Sequence, residues 1–451
     1  MTEKHRVVIC GAGITGVSAA YYLAKAGIQD ILIVDELAPL TLTSDRSTEC
    51  YRNWWPDSEL QALINRSIDL MEQLAMESGN VFRMNRRGYL YVTADSLAAN
   101  KLSDVSSAIS KADGVPLRVH DGTDHGYAPS AGDGFAGQPD GADLLLGTSL
   151  IRKHFPYLAR TAVAALHARR AGWLSAQQLG MYMLERARAL GASYRMAHLN
   201  EVKVIGGHVS SIKLGTGETI DCAAFINAAG PYLMRVAAMC DLDLPVHTEL
   251  HLKLVFEDLR RVVDRGAPLL IWNDPIRLPW DDDERGLLLS DPESSWLAEP
   301  LPGGAHTRPE GGADSHNLLM LWDYKKRAQD PVFPPPLDEQ YAEVALRGLS
   351  VMLPGLKGYF GHATRPRLDG GYYVKTAENR LLAGPTSVEG VYVIGAVSGY
   401  GIMSACGAGE LLAAHVAGRP LPAYAKTFLL DRYQDPEYVR SLEHLGESGE
   451  L

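Results

Sequence analysis

The pattern of apolar and polar positions divides the chain into recognisable units. Val7 to Cys10 is a continuous apolar run of strand length that stops at Gly11, and an Ala-rich stretch with helical spacing follows and closes at Gly27. A second apolar run, Ile31 to Val34, ends in Asp35. Together these predict a strand–helix–strand unit with a parallel sheet. From Asp57 onward Leu60, Leu63, Ile64, Ile68, Met71 and Leu74 recur at helical intervals and predict a long amphipathic helix. Residues Val81 to Thr93 read as strands, whereas Asp121 to Gly147 has no period and reads as a mobile excursion that could cover an active site. In GWLSAQQLGMYMLERARALGA, Ser175 and Gln178 match a capping box, Leu179, Met183 and Leu190 share a helical face, and Gly191 ends the helix. Three strands follow at Glu201–Ile205, Val209–Leu214 and Thr219–Asn227. Between Pro245 and Gly361, strand-like segments such as LHLKLVFED and NLLMLWDY alternate with Pro/Gly/Asp-rich loops, as an inserted antiparallel sheet would. Gly390 to Gly418 is again strand, glycine turn, helix. The fold class is therefore α/β (α+β overall), with a discontinuous nucleotide-binding domain at 1–80, 150–245 and 365–451, and a second domain at 81–149 and 246–364.

The first glycine turn carries chemistry. Gly11, Gly13 and Gly16 form GxGxxG between a strand and a helix, the context that gives the motif its meaning. Gly11 permits the tight turn, Gly13 lets the backbone approach a pyrophosphate, and Gly16 lets helix and strand pack closely. The helix N-terminus offers free N–H groups and partial positive charge to phosphates, and Asp35 is placed for a ribose. The polar loop TLTSDRSTECYRNWWPDSE leaves the carboxyl end of the second strand, where ligands gather in such sheets, and it holds Arg46, Arg52, Trp54 and Trp55. In FINAAGP, Phe225 to Pro231, small residues after an apolar strand allow close backbone approach to a ligand.

Length and charge narrow the partners. The 451 residues suffice for two or three domains, and the 46% hydrophobic and 22% charged content is that of an ordinary globular protein. A net charge of −11 argues against nucleic acid or anionic membranes. No apolar run approaches the ~20 residues of a membrane span. Met1 to Arg6 leads directly into the first strand rather than resembling a signal peptide. Cys10, Cys50, Cys222, Cys240 and Cys406 are scattered and form no CxxC, which points to a reducing, cytoplasmic setting without a disulfide framework or zinc site.

Taken together, the motifs resemble the FAD-dependent D-amino-acid oxidase, sarcosine oxidase and glycine oxidase family along nearly the whole chain. The resemblance rests on GAGITG with Asp35, GWLSAQQL, FINAAGP, TRPEGG (Thr307–Gly312), RPRLDG…AENRLLAGP (Arg365–Pro385) and VIGAVSGYGIM. It implies FAD, a Rossmann-like FAD domain, an antiparallel substrate domain and oxidation of a C–N bond in an amine or amino acid. The implied cofactor contacts are Gly11, Ala12, Gly13, Ile14, Thr15, Gly16, Asp35, Glu36, Ser44, Arg46, Ser47, Thr48, Val202, Ala228, Ala229, Gly230, Gly395, Ser398, Gly399, Tyr400, Gly401, Ile402 and Met403. Ser398, Gly399 and Gly401 precede a helix that starts near Met403, and its N-terminus would stabilise negative charge on a reduced flavin.

The same resemblance brings departures. Relatives that hold FAD covalently use a histidine in the loop after the second strand or a cysteine before the last FAD strand. Here these places read TSDRSTECYR, with no histidine, and DGGYYVKT, with no cysteine, so the FAD is expected to be non-covalent. The lysine that monomeric sarcosine oxidases place over the flavin corresponds to Met320, and a carboxylate-binding lysine to Met403. Both losses bear on oxygen as acceptor and on an amino-acid carboxylate as ligand. Candidate catalytic residues are Arg52, Lys253, Tyr372 and Tyr400, and candidate substrate contacts are Arg52, Trp54, His251, Lys253 and Tyr372, with Tyr373 beside them. Arg52 could pair with a carboxylate or form a structural salt bridge. His251 and Lys253 share a strand face that lines either a pocket or solvent. HTELH, with His247 and His251, is not the HExxH motif of a zinc site and strand spacing separates the two side chains, so a metal is not expected, and Arg308 reads as structural. Hydroxy-acid or polyol-phosphate oxidation, and a flavin-bound subunit of a larger complex, are the alternatives to amine oxidation.

Overall fold

The computed structural model describes residues 3–122, 126–362 and 366–442, the side chains of residues 3–6 and 113 excepted. Arg365 of the RPRLDG segment lies outside the described residues. Strand β1 (Glu3–Cys10), helix α1 (Ile14–Lys25) and strand β2 (Ile31–Asp35) form the expected unit, with β1 and β2 parallel. Strand Thr219–Asn227 runs parallel on the other side of β1, and strand Val391–Gly395 runs parallel beside its end. The apolar runs are continuous because this sheet is covered on both faces. Val7, Ile9, Ile31 and Ile33 pack into one core with the helices, while Val8, Cys10, Leu32 and Val34 pack into another with the hairpin strands Leu199–Ile205 and His208–Leu214.

The second sheet has nine strands and is mixed rather than antiparallel. Strand His247–Glu257 pairs antiparallel with Asn317–Leu321 and with Arg367–Lys375, but Tyr89–Thr93 runs parallel to Leu269–Trp272, and Leu117–Asp121 parallel to Ala142–Leu146. Two strands placed by sequence with the nucleotide-binding segments, Ala164–Ala168 and Arg367–Lys375, hydrogen-bond into this sheet. Their apolar and aromatic residues carry no mark of which sheet they join.

Several local expectations are corrected. The polar loop before helix α2 (Ser58–Ser78) contains a short strand, Cys50–Arg52, paired with Ala171–Trp173. Residues 81–88 are not a strand, because Asn80 bonds the N–H and C=O of Met84 through its side chain and bends the chain there. The excursion after Asp121 contributes the buried strand Ala142–Leu146. None of its described residues lines either of the two cavities described below. Ser175 accepts from the Gln178 N–H, so one half of the capping box is present. Leu190 caps its helix and is exposed instead of joining Leu179 and Met183 in the core. The late helix starts at Gly401, two residues before the expected Met403, and runs to Val416.

The two strand–turn–helix units meet through their helices. Ser18 on α1 donates to the Ala405 carbonyl at 2.7 Å, and a Cβ at Gly409 would stand 2.3 Å from the Ser18 hydroxyl and 2.9 Å from its backbone carbon. Glycine is therefore required where these helices cross. Gly409→Val is expected to destabilise the fold by at least the about 1–3 kcal/mol typical of an overpacked core. A denaturant midpoint unchanged from the parent would contradict the packing described.

Candidate cofactor cleft and substrate cavity

Both glycine turns open onto one cleft of about 900 Å³. Gly11 has φ +110°, donates its N–H to Val34 at 2.8 Å, and would clash with the Ala228 carbonyl at 2.3 Å if it carried a Cβ. At Gly16 an added Cβ would lie 2.0 Å from the Gly11 carbonyl, so that glycine lets α1 sit against the turn. At Gly13 an added Cβ would meet only the Ser44 hydroxyl at 3.4 Å, which leaves the backbone there open to the cleft. The first turn of α1 carries no acidic side chain, and Ser44 accepts the Ile14 N–H at 3.0 Å. Asp35 closes this end, accepting from the Ala12 N–H at 2.7 Å and the Leu37 N–H at 2.9 Å. Burial raises its pKa, an effect those backbone donors oppose.

Across the cleft lie Ala228, Ala229 and Gly230, then Gly395 to Gly399 with Gly401 and Ile402. Ala396 and Ser398 adopt positive φ, 53° and 45°, without being glycine. Backbone strain of this kind concentrates at functional sites. No side chain caps the helix that begins at Gly401, so its first N–H groups and dipole face the cleft. This donor-lined, long cleft, with glycines where a phosphate backbone would approach, suits a dinucleotide. When bound, FAD would supply a two-electron acceptor.

The remaining cofactor candidates are placed differently. Thr15, Ser44 and Ser47 line the cleft, while Thr48, Tyr400 and Met403 line the adjoining cavity. Ala12 and Gly16 shape the turn from behind it. Glu36 pairs with His198 at 2.7 Å, Arg46 pairs with Asp369 at 3.2 Å, and Val202 lies in the core among the hairpin strands. None of these three lines the cleft. Leu37, Ala38 and Leu40 to Thr43 do line it, and sequence reasoning missed them because their segment has no periodicity.

The second cavity shares Tyr373, Ser398 and Gly399 with the cleft and opens beyond them. Arg52 and Tyr400 line it. Arg52 is buried, donates to the Tyr91 hydroxyl, and holds its guanidinium 4.0 Å from the Trp55 ring centroid. Among the described residues it forms no ion pair with a carboxylate. Trp54 is fully buried away from both cavities, and its neighbour Trp55 takes the wall position. Successive residues point to opposite sides of extended chain, and the sequence cannot say which of two adjacent tryptophans faces in. The same alternation corrects Met320, which is fully buried among core residues, whereas Leu321 faces the cavity and Asp323 follows it.

Tyr372 lines the cofactor cleft and not the second cavity; its neighbour Tyr373 reaches both. Lys253 and His251 line neither. Lys253 donates to the Asp45 and Ser47 carbonyls at 3.1 and 3.4 Å, clamping the loop that floors the cleft. Burial lowers its pKa. His251 stacks on Tyr373 with centroids 3.9 Å apart and lies between Glu249 at 3.2 Å and Asp323 at 2.8 Å. His247 also contacts Glu249, at 3.1 Å, so the two histidines of HTELH converge on a carboxylate. Arg308 donates two N–H groups to the Thr48 carbonyl, a structural tie between sheet and loop.

The site generates two tests. Gly13→Val is expected to abolish retention of FAD while the protein stays folded; purified variant that keeps a flavin absorbance would contradict this. The second concerns pH. Burial opposes charge on His251, but Asp323 and Glu249 outweigh it and raise the pKa from 6.5 to about 9. Its folded pKa is raised, so its contribution to stability is complete below pH 6.5 and is lost as pH rises through about 9. Denaturant midpoints should fall over that window in the parent protein and fall less in His251→Asn. Parallel pH profiles for the two would contradict the assignment.

Comparison with known proteins places these features in one group. A family model described as FAD dependent oxidoreductase (DAO) matches residues 6–415. The chain is 22% identical over 341 residues to the mitochondrial pyruvate dehydrogenase phosphatase regulatory subunit of Mus musculus, covering 72% of this chain and 33% of that protein. It is 23% identical over 313 residues to mitochondrial dimethylglycine dehydrogenase of Homo sapiens, covering 67% of this chain and 33% of that one. The chain thus spans about a third of the length of these curated relatives. The L-proline dehydrogenase structure from P. horikoshii superimposes with a TM-score of 0.73 at 18% identity, covering 96% of this chain and 99% of that one. Among the described residues no helix is long and apolar enough to cross a membrane. The two glycine turns facing one cleft and the family match spanning them lead to one conclusion: the chain belongs to the DAO family of FAD-dependent oxidoreductases.

Proposed function

We propose that the protein binds FAD non-covalently and oxidises the C–N bond of a small amine that carries a carboxylate, giving an imine by hydride transfer to the flavin. The observation that carries this reading is Arg52. A guanidinium buried between aromatic rings, without a carboxylate partner among the described residues, is costly unless a ligand completes it. It faces the cavity that Ser398, Gly399 and Tyr400 share with the strained turn. A carboxylate there would be held bidentately and would fix the adjacent C–H toward that turn. Trp55, Tyr91 and Tyr400 would exclude water around it. Two relatives of this fold, the dimethylglycine and L-proline dehydrogenases, are named for carboxylate-bearing amines, which agrees with the assignment.

Non-covalent attachment is supported by the lining of the cleft, which has no histidine or cysteine among its described residues. Cys50 lies in the second cavity instead, and burial raises its thiol pKa, which disfavours the reactive thiolate. Release of intact FAD on acid precipitation would agree; flavin remaining with the pellet would overturn this part. A second reading, a flavin-bound subunit with a regulatory role, is favoured by the similarity to a phosphatase regulatory subunit.

Anaerobic mixing with a panel of amines, N-alkyl amino acids and hydroxy acids separates these readings. Carboxylate-bearing amines are expected to bleach the flavin, while bleaching by hydroxy acids alone would favour C–O oxidation and no bleaching at all would favour the subunit reading. Arg52→Met should weaken a carboxylate substrate by the about 1.5–3 kcal/mol of a charge-assisted contact while a simple amine changes little. Equal loss for both would assign Arg52 to folding.

A further inference from the structure

None of the described residues after Gly418 lines either cavity, yet polar side chains of that segment converge on one carboxylate. Arg432 donates to Glu378 Oε1 from Nε at 2.9 Å and from Nη2 at 2.7 Å, and the Tyr433 and Tyr438 hydroxyls donate to the same oxygen at 2.7 and 3.0 Å. The two charged side chains are only 5% and 4% exposed. A charge pair this deeply buried persists only where hydrogen bonds offset its desolvation. Arg432 also donates to the carbonyls of Arg380 at 3.0 Å and Leu381 at 3.3 Å. Thr376 closes the loop, donating its hydroxyl to the Arg380 carbonyl at 2.8 Å and accepting the Arg380 N–H at 3.0 Å. On the far side Arg380 pairs at 2.7 Å with Asp57, the N-cap of α2. The loop from Thr376 to Leu381 is thus anchored from two directions.

Asn379, next to Glu378, is where this anchoring reaches the site. It lines the second cavity and has φ +59°, a conformation that asparagine tolerates better than most side chains. Its carbonyl accepts the Tyr400 hydroxyl, and its side-chain oxygen accepts the Ser398 hydroxyl at 3.3 Å. Ser398 and Tyr400 flank Gly399 in the turn shared by the two cavities, and Ser398 is itself left-handed at 45°. That turn leads directly into the uncapped helix beginning at Gly401. Two left-handed residues from separate segments therefore hold each other at the junction of cleft and cavity.

We infer that Asn379 is a positioning residue: its left-handed backbone, locked by the Arg432–Glu378 pair, fixes the turn Ser398–Tyr400 and the aim of the helix that follows. The segment after the late helix thereby sets how readily bound FAD accepts electrons. N–H groups at a helix start favour the negative charge of a reduced cofactor only while they point at it. This rests on the flavin reading of the cleft and adds to the proposed function what tunes the site, whichever amine is oxidised.

The test is the midpoint potential of bound FAD, read by dye-coupled titration of the FAD-loaded full chain without substrate. Loss of global stability alone leaves this readout unmoved as long as the flavin stays bound. Asn379→Ala is expected to make reduction about tenfold less favourable, a shift of about 30 mV to more negative potential for a two-electron couple. Asn379→Gly keeps the left-handed backbone and the carbonyl that Tyr400 meets, and is expected to stay within about threefold of the parent. The Tyr433→Phe/Tyr438→Phe double variant touches neither cavity and leaves the buried charges paired. It loosens the anchor only, and is expected to shift the potential about threefold in the same direction. Parent-like potentials in Asn379→Ala and in the double variant overturn the inference, and so does a glycine variant shifted as far as the alanine one. If Asn379→Ala fails to fold or to keep its flavin, the double variant decides alone: a negative shift supports the inference and a parent-like potential overturns it. Shifted potentials with no amine bleaching the flavin would keep the positioning role and reject amine oxidation. Bleaching by amines with parent-like potentials throughout would do the reverse.

Discussion

Contact between two backbones that sequence places far apart carries this structure. The carbonyl of Ala228 approaches Gly11 so closely that no side chain fits, and the carbonyl of Gly11 in turn meets Gly16 at the start of α1. Strand Thr219–Asn227 can therefore lie flush against β1, and its FINAAGP end becomes one wall of the cleft. On the other side of α1 the same economy of side chains recurs where Ser18 meets Ala405 and Gly409. Small residues at each of these points let three distant segments share one cleft. The energetic gain is the burial of continuous apolar strands on both sheet faces, and the functional gain is backbone N–H groups left facing a ligand.

The charged residues of the early loop serve placement as much as chemistry. Lys253 holds the carbonyls of Asp45 and Ser47, Arg46 reaches Asp369, and Arg308 holds the carbonyl of Thr48. Three cations from the loop and the larger sheet thus fix a segment with little secondary structure of its own. Fixing it matters because Leu40 to Ser44 and Ser47 line the cleft while Thr48, Cys50, Arg52 and Trp55 line the second cavity.

The strand–turn–helix units were legible in the sequence because glycine spacing and apolar runs are local signals with a direct steric meaning. Gly11, Gly13 and the turn before Gly401 could be assigned a job from their neighbours alone. What could not be read was orientation. In the pairs Trp54/Trp55 and Met320/Leu321 one member faces a cavity and the other does not, and of Tyr372 and Tyr373 only the second reaches the second cavity. A period of two fixes that they differ, and only strand pairing decides which is which. Long-range pairing also explains why Ala164–Ala168 and Arg367–Lys375 joined the larger sheet. His251 illustrates a third limit: its role depends on Asp323, seventy-two positions later, which nothing near HTELH announces.

The seam between the two sheets has a mechanical consequence. Strand Arg367–Lys375 belongs to the larger sheet, yet Thr43 donates to the Tyr372 carbonyl at 3.0 Å and Ser398 donates its N–H to Val374 at 2.9 Å. One strand is thereby stitched to the floor of the cleft and to the strained turn together. Rotating one sheet against the other would tear both stitches, so a hinge between them is a poor route for molecules to enter and leave. Traffic is better served by the open side of the second cavity, whose wall from helix Ser96–Asp113 contributes no residue to the cleft.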